Sequence, residues 1–348
     1  MQYNLFVEPL LISFALTVSV CLILLSLPFF RERIWRQSER HSGKHQISRL
    51  GGIALLVGFF LAVLFDRHLV VSREIMALLF GSAVVGLVGI WDDFQELSFK
   101  TQGFFQVILT VLLFVFGIRI TTIKNPFGEV IVLPEQGVLP LLAGFILLLL
   151  WMSLVLNAVN WLDGLDGLLG SVTIITFLTI FFLSLKPEVN QPPVALLALI
   201  GAGVTAGFLF FNLHPARILA GTSGALFLGF LIAALSVIAG TKIATSLLVL
   251  ALPIADALWV IGERLRAGVS IFQADQRHLH YRLRNLGWRE SQITWFFSLL
   301  TGIIAVIALS TQALGKFFAL LLVLALVFSF LLFVAQKTKH REVTDLKI

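Results

Sequence analysis

The chain has 348 residues, 58% of them hydrophobic and only 13% charged, with a mean hydropathy of +0.99. A soluble domain carries about 25% charged residues, so a water-facing fold is excluded and the bilayer must be the solvent. The net charge of +6 matters less than its distribution, and the single cysteine, Cys21, excludes an internal disulfide.

The first apolar run, 8–30, follows an acidic and polar start rather than a basic one. It is long for a signal-peptide core and no small-residue cleavage site follows, so it predicts a retained transmembrane helix. Further apolar runs occupy 50–65, 75–91, 104–120, 138–156, 167–185, 194–211, 223–239, 243–262, 292–310 and 315–336. Each is expected to be long enough to span ~30 Å of hydrocarbon. The expected fold is therefore all-α, a polytopic integral membrane bundle of about eleven transmembrane helices. Without a 20–50-residue repeat or a low-complexity segment, residues 1–348 read as one membrane domain.

Orientation follows from lysine and arginine. Eighteen of them fall in 31–49, in 263–291, in the C-terminal tail and at Lys100 and Arg217; seven fall on the other side. The basic side is expected to be cytoplasmic, with the N-terminus outside and the C-terminus inside a cytoplasmic membrane. All seven tryptophans are expected in or near helix ends on that side, as an interfacial belt.

Five polar motifs share that face. In chain order they are "GKHQISRLGG", "GIWDDFQELSFKTQ", "NAVNWLDGLDGLLGS", "FFNLHPARILAGTSG" and "ADQRHLHYRL". Asp92 and Asp93 follow directly on an apolar helix end, where buried charge is costly unless paired or metal-bound. Two adjacent carboxylates repel each other and favour a divalent cation. In the third motif Asn157, Asn160, Asp163 and Asp166 recur every third residue, with Gly164, Gly167 and Gly170 on a beat of their own. Steps of three sweep about half a helix circumference, so this is not one face of a helix. A turn or broken helix lining a polar pocket fits better than a plain hinge.

His278 and His280, among Arg277, Arg282 and Arg284, suit an anion. The HxH pattern also suits zinc, but no cysteine or third histidine stands nearby. Asp256 is an acid inside a spanning segment, which points to function, although a structural partner such as Arg264 serves equally. Carboxylates, carboxamides, close glycines and basic groups at a membrane mouth are equipment for a diphosphate with magnesium, which bridges its oxygens.

The motifs "SRLGGIA", "GIWDDF", "NAVNWLDGLDGL", "NLHPARI" with "LFLGF", and "HLHYRL" occur in order over about 40–290. In them the chain resembles the polyprenyl-phosphate N-acetylhexosamine-1-phosphate transferases, a superfamily that includes phospho-N-acetylmuramoyl-pentapeptide transferase. "SRLGG" and "HLHYRL" resemble the N-acetylglucosamine branch more. The resemblance implies attack by a polyprenyl (undecaprenyl) phosphate on the sugar-bearing phosphate of a UDP-N-acetylhexosamine, giving polyprenyl-diphospho-sugar and UMP. It implies magnesium as cofactor, with manganese admissible, and Asp92, Asp93, Asp163 and Asp166 as catalytic and metal-binding residues. Substrate contacts would come from Lys44, Lys100, Asn157, Asn160, Asn212, Arg217, His278, His280 and Arg282. The partners implied are the UDP-sugar, the lipid phosphate and the membrane, with no nucleic acid and a homodimer left open.

The sequence departs from the family in four places. Thr222 replaces an aspartate regarded as a magnesium ligand; Gln46 and Ser48 stand where prolines are common; Tyr281 stands for a third histidine; and Asp275–Gln276 stands for Asp-Arg. A phosphate monoester with its second pKa near ~6 is already largely dianionic at neutral pH. Asp92 is therefore expected to orient groups or link to a metal before it acts as a base. Competing expectations are a non-catalytic lipid or nucleotide binder, an intramembrane prenyltransferase and a transporter.

Overall fold

The structure is a computed structural model that describes residues 4–27, 47–123, 125–134, 136–240, 243–271 and 276–345. Its helices are α1 (Asn4–Ser26), α2 (Gly51–Phe65), α3 (Arg73–Gln95), α4 (Phe99–Val115), α5 (Val138–Asn160), α6 (Leu168–Ser184) and α7 (Pro192–Asn212). There follow α8 (Gly221–Ile238), α9 (Ile243–Val249), α10 (Ala251–Arg266), α11 (Leu279–Asn285), α12 (Glu290–Ser310) and α13 (Ala313–Asp345). Every apolar run expected from the sequence contains a helix among the described residues, although the run 104–120 leaves its helix at Val115. Among the described residues seven helices are long and apolar enough to cross a membrane, namely α1, α3, α5, α7, α8, α12 and α13. The apolar helices α2, α4 and α6 are shorter, and α9 with α10 forms one bent pair.

That pair corrects the expectation of a single helix over 243–262. The chain bends by 74° between α9 and α10. Pro253 is the cause: it has no N–H to donate to Val249, and its ring clashes with the Val249 carbonyl. In the first turn of a new helix the same proline is tolerated, and α10 starts at Ala251.

Helices α7 and α8 form the centre, buried over most of their length. Around them α1 packs on α7 and α2, α3 and α5 pack on α8, and α6 packs on α7 and α12. Many of the outward apolar side chains stay exposed, among them Leu11, Phe104, Leu150 and Leu326. That is the pattern of a lipid-facing wall rather than of a soluble surface. Trp151 departs from the expected belt: it is buried in α5 and donates its Nε1–H to the Ala233 carbonyl at 3.1 Å.

At one end of the bundle a two-residue hairpin pairs Thr122–Ile123 with Ile131–Val132. Basic side chains there meet helix C-termini. Arg73 donates to the Val115 carbonyl at 3.3 Å, Arg119 to Phe114 at 3.0 Å, and Lys186 to Leu309. Positive charge at a helix C-terminus is favourable because the carbonyls there are unsatisfied. These residues belong to the sparse side of the charge count, so much of that side's charge is absorbed locally. The polar motifs collect at the opposite end.

Candidate active site at the polar end

Backbone pairing sets the frame. Leu219 N–H donates to the Ser48 carbonyl at 2.8 Å, and Gly51 N–H to the Leu219 carbonyl at 2.9 Å. This ties "SRLGG" to the segment leading into α8. A Cβ on Gly52 would lie 2.0 Å from Ser223 Oγ, and one on Gly89 would lie 2.4 Å from Ser223 Cα. Only glycine lets α2 and α3 approach the first turn of α8 so closely.

Asp92 and Asp93 are both buried, at 7% and 8% exposure, yet they engage different elements. Adjacent helical residues point about 100° apart, so this follows from their position in the last turns of α3. Asp93 accepts from Thr222 N–H at 2.7 Å, Ser223 N–H at 3.1 Å and Ser223 Oγ–H at 2.6 Å. Ala220, the residue preceding α8, has no side chain that can cap, so a carboxylate from α3 does it. Asp92 Oδ1 accepts from Leu97 N–H at 2.8 Å and Gln102 Nε2–H at 2.9 Å. It thereby shapes the α3–α4 turn that leads to the exposed Lys100 in the first turn of α4.

The motif Asn157–Ser171 breaks as its spacing implies. Helix α5 ends at Asn160, residues 161–167 turn irregularly, and α6 begins at Leu168 after Gly167 at φ +76°. Asn157 donates to the Ser153 carbonyl at 2.7 Å, while Asn160 and Asp163 stand half-buried. Asp166 is buried; its Oδ2 accepts from Ala216 N–H at 3.0 Å and lies 3.0 Å from His214 Nδ1. Its carbonyl accepts from Thr294 Oγ1–H at 3.0 Å. Asn212 joins the same two loops: Oδ1 accepts from Gly167 N–H at 3.0 Å and Nδ2 donates to the Ile218 carbonyl at 2.8 Å. Its carboxamide thus bonds protein backbone at both ends.

The histidine motif meets this stretch at Gly164, where a Cβ would lie 2.3 Å from His280 Nε2. The partner of Asp256 is His278 rather than Arg264. Asp256 Oδ2 lies 2.9 Å from His278 Nδ1, and Oδ1 accepts from Leu279 N–H at 2.8 Å, starting α11. The His278 and His280 rings lie parallel at 5.8 Å, with Trp161 5.2 Å from His278 and Tyr281 4.2 Å from His280. Arg264 donates to the Ile271 carbonyl at 2.6 Å. Arg282 donates to the Arg277 carbonyl at 2.6 Å and pairs with Glu263.

The described parts of the five motifs therefore interlock at one end of an apolar bundle. Asp92, Asp93, Asn157, Asn160, Asp163, Asp166, Asn212, His278, His280 and Arg282 all lie in that assembly, and Lys100 and Arg217 are exposed at its rim. Lys44, Gln46 and Asp275 lie outside the described residues. Sequence reasoning passed over Glu290 and Thr294, which belong to no motif, and over Gln102, His214 and Ser223, which sit inside motifs already singled out. Asp92, Asn157, Asn160 and Asp163 offer only carboxylate and carboxamide groups, whose oxygens suit a hard cation such as magnesium.

A model described as "Glycosyl transferase family 4" matches residues 75–240. The probable undecaprenyl-phosphate N-acetylglucosaminyl 1-phosphate transferase of Bacillus subtilis (strain 168) is 29% identical over 245 residues, 69% of this chain and 66% of that protein. The decaprenyl-phosphate N-acetylglucosaminephosphotransferase of Mycobacterium leprae (strain TN) is 31% identical over 295 residues, 76% of this chain and 73% of the relative. Its Mycobacterium tuberculosis (strain ATCC 25618 / H37Rv) counterpart is 31% identical over 74% of this chain and 70% of its own length. Identity at that level, over nearly three quarters of the mycobacterial proteins, places the chain in glycosyl transferase family 4, the family of polyprenyl-phosphate N-acetylhexosamine-1-phosphate transferases that its motifs resemble.

Proposed function

We propose that this chain transfers N-acetylglucosamine-1-phosphate from a UDP-sugar to a polyprenyl phosphate such as undecaprenyl phosphate and releases UMP. The observation that carries the reading is the interlock of the motif loops, Asp166 with the 214–216 loop and Gly164 with His280, at one end of a lipid-facing bundle.

The nucleophile is the lipid phosphate, already dianionic, so the main barrier is the approach of two anions. Asp92 and Asp163, with Asn157 and Asn160, would hold magnesium, which would withdraw charge from the diphosphate oxygens. Asp93 and Asp166 hold backbone: one fixes the start of α8, the other the 214–217 loop that bears Arg217. The parallel His278 and His280 rings and exposed Lys100 and Arg217 would position the anionic donor. A panel of UDP-sugars scored for UMP release tests the reading; UDP-N-acetylglucosamine should turn over fastest, and release with no sugar donor in the panel would contradict it.

The topology belongs to the same proposal: eleven crossings, N-terminus outside and the polar end cytoplasmic, as the charge split implies. With Cys21 buried and silent, Ser291→Cys should resist an impermeant thiol reagent in intact cells, while Asn125→Cys in the hairpin should label. Labelling of Ser291→Cys from outside would invert the arrangement and remove the cytoplasmic donor.

One observation favours a second reading, a lipid or nucleotide binder without turnover. Position 222, where the family has a carboxylate, is a half-buried threonine in the first turn of α8, its N–H already bonded to Asp93. Charge count tunes divalent affinity. An active enzyme should therefore need more magnesium for half-maximal rate than its Thr222→Asp variant, which gains a full charge against the ion. An equal requirement would show that position 222 does not face the metal.

A further inference from the structure

The Asn157–Ser171 stretch, the 212–217 loop and the start of α12 meet at three side chains: Asp166, His214 and Glu290. His214 Nδ1 lies 3.0 Å from Asp166 Oδ2 and 3.5 Å from Glu290 Oε2. One ligand atom from each residue lies within 4.8 Å of the others. We propose that Asp166, His214 and Glu290 form a binding site for a transition-metal ion of the zinc class, separate from the magnesium that the transfer reaction uses. This goes beyond the transferase reading and does not depend on it.

Three observations support the site. First, the spacing fits: a tetrahedral ion with bonds of ~2.0–2.1 Å sets its ligand atoms about 3.3–3.4 Å apart, close to the 3.0 Å and 3.5 Å that separate His214 Nδ1 from the two carboxylates. Second, Asp166 is 6% exposed, and its other oxygen, Oδ1, is sealed from solvent with no hydrogen-bond partner among the described residues. An orphaned carboxylate oxygen is expensive, and an ion chelated by both oxygens of Asp166 would satisfy it. Third, Glu290 divides its oxygens: Oε1 lies 3.8 Å from Arg284, while Oε2 turns to His214. The imidazole sets the ion class, because nitrogen suits zinc and its neighbours whereas magnesium takes oxygen. The His214 side chain is 48% exposed, which leaves a path for the ion and a position for water as the fourth ligand. An ion here would pin the loop bearing Arg217 to the Asp163–Asp166 turn and to α12.

The test uses the full chain in detergent, purified without a polyhistidine tag, stripped with EDTA and dialysed against zinc in excess magnesium. One zinc per chain should be retained, with a rise in melting temperature, since a ligand that binds only the folded state stabilises it. His214→Ala and Glu290→Gln should each weaken zinc binding at least ~10-fold, while His68→Ala, an exposed histidine elsewhere, should not. Should His214→Ala fail to fold, Glu290→Gln decides, because its side chain is partly exposed and keeps its shape. Absence of retained zinc in the unaltered chain, or undiminished binding in a folded Glu290→Gln, overturns the proposal. Neither readout involves turnover, so failure here leaves the transferase reading standing.

Discussion

Replacing Asp163 by asparagine is expected to cut turnover at least ~100-fold, a loss of ~2.7 kcal/mol in transition-state stabilisation, while the protein stays folded and inserted. Asp163 stands half-buried in the irregular turn 161–167, one residue from the glycine that makes room for His280. Asparagine keeps the size and one acceptor oxygen but removes the charge. Against a divalent ion that charge is the dominant contribution, and the ion's role is to bring two anions together. Because the side chain lies outside the packed apolar core, the melting temperature should hardly move. UMP release and thermal unfolding, measured on the same preparation, check both halves. Near-normal turnover in Asp163→Asn combined with Asp166→Asn would mean that the stretch is only a hinge.

Asp93→Asn should behave differently. Asp93 is the sole side-chain cap of α8 among the described residues, accepting two backbone N–H groups and one hydroxyl. Asparagine can accept on one oxygen only and turns an N–H toward the remaining donors. Loss of a cap and an unsatisfied buried donor each cost ~1–2 kcal/mol, so stability should fall by about 1–3 kcal/mol along with activity. The first turn of α8 carries Thr222 and touches α2 and α3 through Gly52 and Gly89, so its loosening spreads to three motifs. A lost melting transition or a lowered one in Asp93→Asn, beside an unchanged one in Asp163→Asn, separates the positioning carboxylate from the one proposed to face the ion. Equal stability in both variants would show that the cap contributes little.

The bundle was legible because a membrane span is a run rather than a pattern: twenty apolar residues need no partner to be recognised. The broken backbone at Asn157–Ser171 was legible too, since a three-residue beat of polar groups with Gly164 and Gly167 cannot ride on one helix face. Pro253 was visible in the sequence, but the continuous hydropathy around it concealed the bend it forces. The hairpin at Thr122–Val132 has two-residue strands, too short for any alternation to show. Asp93 reads in the sequence as half of a cation pair with Asp92, and its part as the cap of α8 shows only in the apposition of α8 against α3. Likewise Asp256 and His278 are 22 positions apart, and their pairing depends on the path of the chain between α10 and α11. Motif residues were therefore found readily, whereas the division of labour among the carboxylates required the tertiary structure.

The most direct test of the transferase reading is a balanced product assay. The purified chain is given UDP-N-acetylglucosamine labelled in the sugar and undecaprenyl phosphate in detergent, with magnesium and then with EDTA. The expected result is equimolar UMP and labelled lipid diphosphate with magnesium, and neither with EDTA. UMP without labelled lipid, or lipid product formed equally in EDTA, would contradict it.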